Sequence, residues 1–112
     1  MEKKVLHVQL ENLPFESVGD KIAARSVEGT HMTFLNCRFE RGCKIPVHQH
    51  ESEQISFILK GCLKGKICGK EYRVKAGEVI VIPPYQPHEW EAIEETISLE
   101  TFSPPREKPK FQ

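Results

Sequence analysis

The chain has no surplus of either charge. Sixteen basic residues balance sixteen acidic ones, and the formal net charge is zero. No basic stripe is available to track a phosphate backbone, so nucleic acid is not an expected partner, and no acidic tail signals disorder. Long apolar runs are missing as well. None approaches the roughly 18 residues of a membrane span, so no membrane is expected. The opening stretch MEKKVLHVQL carries lysines but no long apolar segment behind them, so we read no secretory signal and expect the cytoplasm. Helical periodicity is weak throughout. The gaps between short β-like runs leave no place for helices of ten residues or more, which excludes a parallel α/β fold. Repeats and low-complexity segments are also absent.

Cysteine is scarce and poorly spaced for metal. Of Cys37, Cys43, Cys62 and Cys68, neither close pair is C-x-x-C, so a structural zinc knuckle is not expected. In a reducing compartment these are free thiols that behave as small apolar side chains. Cys62 and Cys68 share strand parity with Lys64 and Lys66, and are expected on an outer face.

What remains is a chain of 112 residues, 38% apolar and 29% charged, the size of one domain with one core. Short runs closed by Gly, Pro or charged turns predict strands near 4–10, 21–28, 31–40, 46–50, 54–60, 62–68, 70–75, 78–82, 87–92 and 95–103. Ile55, Phe57 and Leu59 share one face, as do Leu63 and Ile67. The run EVIVIPP is apolar without alternation, as expected for a strand covered on both sides. Many short strands at regular spacing mean an all-β sandwich or barrel. From about residue 103, SPPREKPKFQ is rich in proline and charge and reads as an extended tail.

One stretch carries chemistry. Residues 48–54 read HQHESEQ. On a strand, residues two apart project from one face, so His48 and His50 point together and offer two imidazoles to one cation. Gln54 has the same parity, although a turn between them would break that argument. A lone H-x-H is a weak signal. More context strengthens it: Gly42, five residues, His48-x-His50, three residues, Gln54, six residues, Gly61, and later Gly77, five residues, Pro83, Tyr85 and His88.

These stretches resemble the two signature motifs of the cupin superfamily, a small jelly-roll β-barrel with a metal inside. The family pattern has Glu where this chain has Gln54, Gly where it has Tyr85, and Asn where it has Ala92. The positions that supply metal histidines are filled by His48, His50 and His88. HQHESEQ is similar to the H-x-H-x-x-E-Q form of one group of single-domain cupins, in which the glutamine oxygen takes the carboxylate's place. The resemblance implies one divalent transition metal ion (Ni, Zn, Fe, Mn or Cu) held by His48, His50, Gln54 and His88. Glu53 and Glu51 are then solvated charges.

An amide in that position leaves the ion's double charge uncompensated. One unit charge at 4 Å is worth on the order of 4 kcal/mol at an effective dielectric of 20, so such a site is the stronger Lewis acid.

On the last strand Glu100 and Phe102 share parity. ETFSPPRE resembles the C-terminal signature of the pectin-degradation-protein group of cupins, which opens the ring of unsaturated uronates. In that group an acid, a phenylalanine and an arginine at this spacing line the pocket, which casts Glu100, Phe102 and Arg106 as catalytic residues. The group's usual Asp is replaced here by Glu100, one methylene longer. The implied substrate is a small carboxylate-bearing sugar.

A dioxygenase or another isomerase on the same barrel, or a non-catalytic sugar-binding module, are the competing readings. Trp90 shares parity with His88, faces inward and reads first as a core aromatic. His7 and His31 read as ordinary surface residues. Barrels of this size often pair, and VLHVQL is a candidate for strand exchange in a homodimer.

Overall fold

The computed structural model describes residues 4–106. Ten strands follow in order: β1 Glu16–Gly19, β2 Ile22–Glu28, β3 Thr33–Phe39, β4 Lys44–His48, β5 Glu53–Lys60, β6 Cys62–Ile67, β7 Lys70–Lys75, β8 Val79–Ile82, β9 His88–Ala92 and β10 Thr96–Ser103. They form two antiparallel sheets. The larger has the order β1-β2-β3-β10-β5-β8, and the smaller β4-β9-β6-β7. Facing one another, they make the expected all-β jelly-roll barrel. Among the described residues, no helix is long and apolar enough to cross a membrane.

Strand alternation decides what faces inward. In β10, Thr96, Ser98, Glu100 and Phe102 are buried while their neighbours are half-exposed. In β5 the inward set is Gln54, Ser56 and Ile58. Ile55, Phe57 and Leu59 do share a face, but it is the outer one, with Leu59 54% exposed. In the smaller sheet Leu63, Val74, Ala92 and Trp90 point inward. The Trp90 indole lies against Gly65, its partner across β6 and β9. A Cβ at residue 65 would meet Trp90 Cε3 at 2.6 Å and also the Glu89 carbonyl oxygen, so only glycine leaves the indole its space.

Several expectations need correction. Residues 4–9 form no strand. Val5 is 93% exposed and finds no sheet edge to pair with, so alternation alone was not enough there. Strand β1, which was not expected, carries a single buried apolar residue, Val18, too little for a readable pattern. Just before it, Phe15 is held between the guanidinium groups of Arg25 and Arg38, at 4.2 and 4.4 Å.

Strand β8 is not covered on both sides. Ile82 is fully buried, but Val79 and Val81 are at least half exposed, because they point to the same open outer face as Ile55 and Leu59 of β5. Cys62 is buried rather than outward, beneath Thr96, whose Oγ1 accepts from the Cys62 amide at 3.0 Å. Cys68 is exposed, and all four thiols are free.

The chain does not leave the barrel at residue 103 either. The Arg106 amide donates to Thr33 Oγ1 at 3.0 Å, and the Thr33 hydroxyl lies 3.2 Å from the Arg106 carbonyl. This ties the end of the described chain back to β3. The remainder of the expected tail lies outside the described residues.

Candidate metal centre

Three imidazoles converge at one end of the barrel. His48 closes β4, His88 opens β9, and the two are direct cross-strand partners with ring centroids 4.2 Å apart. His48 reaches that position through a bulge. Ile45 pairs with Trp90 and His48 with His88, so β4 spends three steps where β9 spends two. The extra residue brings His48 onto the inward face already used by Ile45, the kind of re-aiming that bulges beside functional sites perform. His50 is not on a strand but in the β4–β5 connection. Its carbonyl accepts from the Tyr85 amide at 2.8 Å, which ties this loop to the one leading into His88. Parity on a single strand therefore does not account for the pair; a bulge and a loop do.

Each ring is fixed through Nδ1. His48 Nδ1 donates to the Pro46 carbonyl at 2.9 Å, His50 Nδ1 to the Ser52 carbonyl at 2.8 Å, and His88 Nδ1 to the Gln86 carbonyl at 2.7 Å. A carbonyl only accepts, so the proton of each neutral ring sits on Nδ1. Nε2 of His50 and of His88 are buried and make no hydrogen bond. A buried polar atom with no partner carries a full desolvation cost, and a cation is the partner that neutral imidazole nitrogens accept.

The candidate ligand atoms of His48, His50 and His88 all lie within 4.8 Å of one another, so the cluster could hold one metal ion. Backbone carbonyls at Nδ1 are the outer support typical of metal-bound histidines. The electrostatics agree. Burial is the main cause that pushes all three imidazoles below their ordinary value, His88 to about 4. The nearby Arg106 cation acts in the same direction. The rings are therefore neutral at ordinary pH.

Gln54 and Glu100 complete the surroundings. Gln54 is 6% and Glu100 7% exposed. Gln54 Nε2 donates to Ser56 Oγ at 2.9 Å and to Glu100 Oε1 at 3.2 Å, while Ser98 Oγ donates to Glu100 Oε2 at 2.7 Å. Burial raises the Glu100 pKa, and the Ser98 hydrogen bond and the Arg106 charge partly offset it. The Phe102 ring is 2% exposed and stands edge-on to His50, with centroids 5.8 Å apart. Arg106, half-buried, places its guanidinium 5.1 Å from the centre of the Phe102 ring.

His48, Gln54, His88, Glu100 and Arg106 line one cavity, whose wall also includes Ile45, Leu63 and Trp90. The structure therefore gathers all seven residues singled out in the sequence at one end of the barrel. Glu51 and Glu53 are exposed, as are His7 and His31.

The sequence reading missed Ser56, Ser98 and Cys37. All three are buried, and Cys37 lies beneath Glu100 in the same cavity wall. A signal existed: small polar residues repeat at inward parity on two central strands, where burial is costly unless something uses the polarity.

Comparison with known proteins agrees with this architecture. KdgF from Halomonas sp. superposes with a TM-score of 0.87 at 23% identity, covering 93% of this chain and 97% of that one. An RmlC-like cupin from Shewanella frigidimarina gives 0.86 at 23% identity over 96% and 97%. A predicted oxalate decarboxylase from Thermotoga maritima gives 0.78 at 17% identity over 88% and 98%. At these identities the likeness is one of fold. No curated protein matches the sequence. The cupin-domain family model matches residues 36–103, well over half the chain and every histidine of the cluster, and the chain belongs to the cupin family.

Proposed function

We propose that this cupin is a metal-dependent enzyme acting on a small carboxylate-bearing sugar, and that it opens the ring of a 4,5-unsaturated uronate to the linear keto form. The observation that carries the reading is the pairing of two unlike groups in one cavity: the His88 imidazole, whose buried Nε2 has no partner, and a buried acid beside an arginine.

His48, His50 and His88, with the Gln54 carbonyl oxygen, would hold the ion. Bound there, a divalent cation supplies Lewis-acid stabilisation of negative charge developing on a substrate oxygen. Nitrogen-rich ligation suits Ni, Zn, Fe, Mn or Cu.

The chain's own residues do the rest. The reaction removes the proton of the anomeric hydroxyl, breaks the bond between C1 and the ring oxygen, and leaves an enolate across C4 and C5 that is then protonated at C4. Atoms balance without water or a redox partner. Arg106 presents a planar fork of donors suited to the substrate carboxylate. Glu100 carries the proton. Its raised pKa brings it toward the range in which a carboxylic group both accepts and gives one. Phe102, packed between His50 and Arg106, excludes water from the reacting face.

The test is direct. Purified protein loaded with each candidate metal is incubated with unsaturated galacturonate released by a pectate lyase. Ring-alkene absorbance should fall faster than in buffer, and faster than in Arg106→Ala. Loss at the buffer rate with every metal would reject the assignment.

A further inference from the structure

Gln54 and Glu100 lie on neighbouring strands two residues apart in register and on the same face, Gln54 opposite Phe102 and Glu100 opposite Ser56. An amide has two different ends, and its surroundings decide which faces where. Toward Glu100 and Ser56 it turns Nε2, at 3.2 and 2.9 Å. A carboxylate accepts but does not donate, so it selects the NH2 end. The Glu100 carboxylate is itself held by Ser98 at its second oxygen. The Gln54 carbonyl oxygen is thereby turned away from Glu100, and Gln54 lines the same cavity as His48 and His88.

We infer that Gln54 and Glu100 work as one unit: the carboxylate holds the amide with its carbonyl oxygen toward the three imidazoles, and the acid at 100 is the reason that residue 54 is a glutamine. This deepens the metal-centre reading and rests on it. A glutamate at 54 would set two carboxylates against each other with no donor between them. Glu100 thus acts on the metal centre through Gln54, as a positioning residue in addition to its role toward substrate.

Full-length protein tests this through Co²⁺ titration and metal-free thermal unfolding of Glu100→Ala, Glu100→Gln, Gln54→Glu and the Gln54→Glu/Glu100→Gln swap. Glu100→Ala should weaken Co²⁺ binding by about 10- to 100-fold, the usual cost of losing an outer-shell partner. Glu100→Gln removes the same charge but keeps an oxygen to accept from Gln54 Nε2, and should retain affinity within a few-fold. Equal losses in the two variants would make the effect one of charge and overturn the inference. Without metal, Gln54→Glu should unfold at lower temperature than wild type, and the swap should recover most of that loss; a swap no more stable than Gln54→Glu would overturn it. His88→Ala keeps the two hypotheses apart. If wild type and His88→Ala bind Co²⁺ equally, the metal centre is refuted, while the metal-free comparison still decides the pairing of residues 54 and 100.

Discussion

The interior of this barrel has two ends built on opposite chemistry. At one end Phe39 of β3 faces Thr96 of β10, Ile22 of β2 pairs with Phe39, and Leu63 of β6 stands between Val74 and Ala92. Its side chains are apolar, and its one hydroxyl, on Thr96, bonds within the backbone around Cys62. At the other end Phe102 stands between Thr33 and Gln54, and His48 faces His88. Here Nε2 of His50 and of His88 are buried without an internal partner. The same strands run through both ends, so topology does not distinguish them. What differs is what burial accomplishes: at the first end it stabilises the fold, and at the second it holds polar groups ready for something outside the chain. Proteins commonly accept such local cost at functional sites.

The comparison breaks most sharply by substitution. Phe39→Ala at the apolar end should cost about 3–5 kcal/mol, by lost burial and a cavity, and should lower the unfolding temperature equally with and without added metal. His88→Ala at the other end should abolish the rise in unfolding temperature that Ni²⁺ or Zn²⁺ gives the wild type, since binding to the folded state alone is what raises it. Calorimetric scans of both variants with and without metal check the pair. A metal-dependent loss in Phe39→Ala, or a preserved rise in His88→Ala, would erase the distinction between the ends.

Acid should separate the ends next. In an unfolded chain histidine takes its proton near pH 6.5, whereas His88 in the fold resists until about 4. Between those values the unfolded state binds more protons. The histidines' contribution to metal-free stability is therefore complete above about pH 6.5 and drains away as pH falls toward 4. Glu100 acts in the opposite sense. Its folded pKa is raised, so its contribution is present at low pH and is lost as pH rises through that folded value. Urea midpoints measured at pH 7, 6 and 5 without metal should fall on acidification in the wild type, fall more steeply in Glu100→Gln, and flatten in His88→Ala. Phe39→Ala should shift the whole curve and leave its shape unchanged.

Gly65→Ala probes the boundary between the two regions, where Trp90 lies below His88. The added methyl meets the Glu89 backbone carbonyl first and the indole edge next, so β9 must shift along with the indole, and overpacking of this kind costs about 1–3 kcal/mol or more. Displacing the indole also disturbs the wall beneath the metal centre, so metal affinity should fall along with stability. A drop in stability alone would place Trp90 wholly with the apolar end.

How far the two regions were legible in the sequence follows from how each is built. Alternation on β5, β6, β9 and β10 is local, and it marks which residues face inward whichever strands are neighbours. It put Leu63 with Ile67 and Trp90 with His88, whereas the unbroken apolar run EVIVIPP suggested cover on both sides and has it on one. The histidines were readable as a pattern, but the geometry that aims them was not. The bulge in β4 depends on its register against β9, and the Tyr85–His50 tie joins residues far apart in sequence. Ser98 and Ser56 look like ordinary strand residues until β5 and β10 are placed side by side. Arg106 sits in a proline-rich segment with no strand pattern, and only its bond to Thr33 brings it over the cavity.

The smallest effect concerns the acid beside the glutamine. Glu53 and Gln54 are adjacent on β5, so a pleated strand sends them to opposite faces; Gln54 is buried, and Glu53 is exposed across from Ser103. The carboxylate that looks spare in HQHESEQ is therefore kept off the inward face by the pleat. Glu53→Gln should change stability by less than about 0.5 kcal/mol, as exposed substitutions do, and should leave metal affinity within about twofold. Exchanging the two residues is the more telling form of the experiment. Gln54→Glu with Glu53→Gln keeps composition and charge while moving the acid from the outer face to the inner one, against Glu100. If position on the strand decides, the exchanged protein should unfold at lower temperature without metal and Glu53→Gln should not. If the two behave alike, the strand's alternation does not separate the interior polar end from the surface at this point.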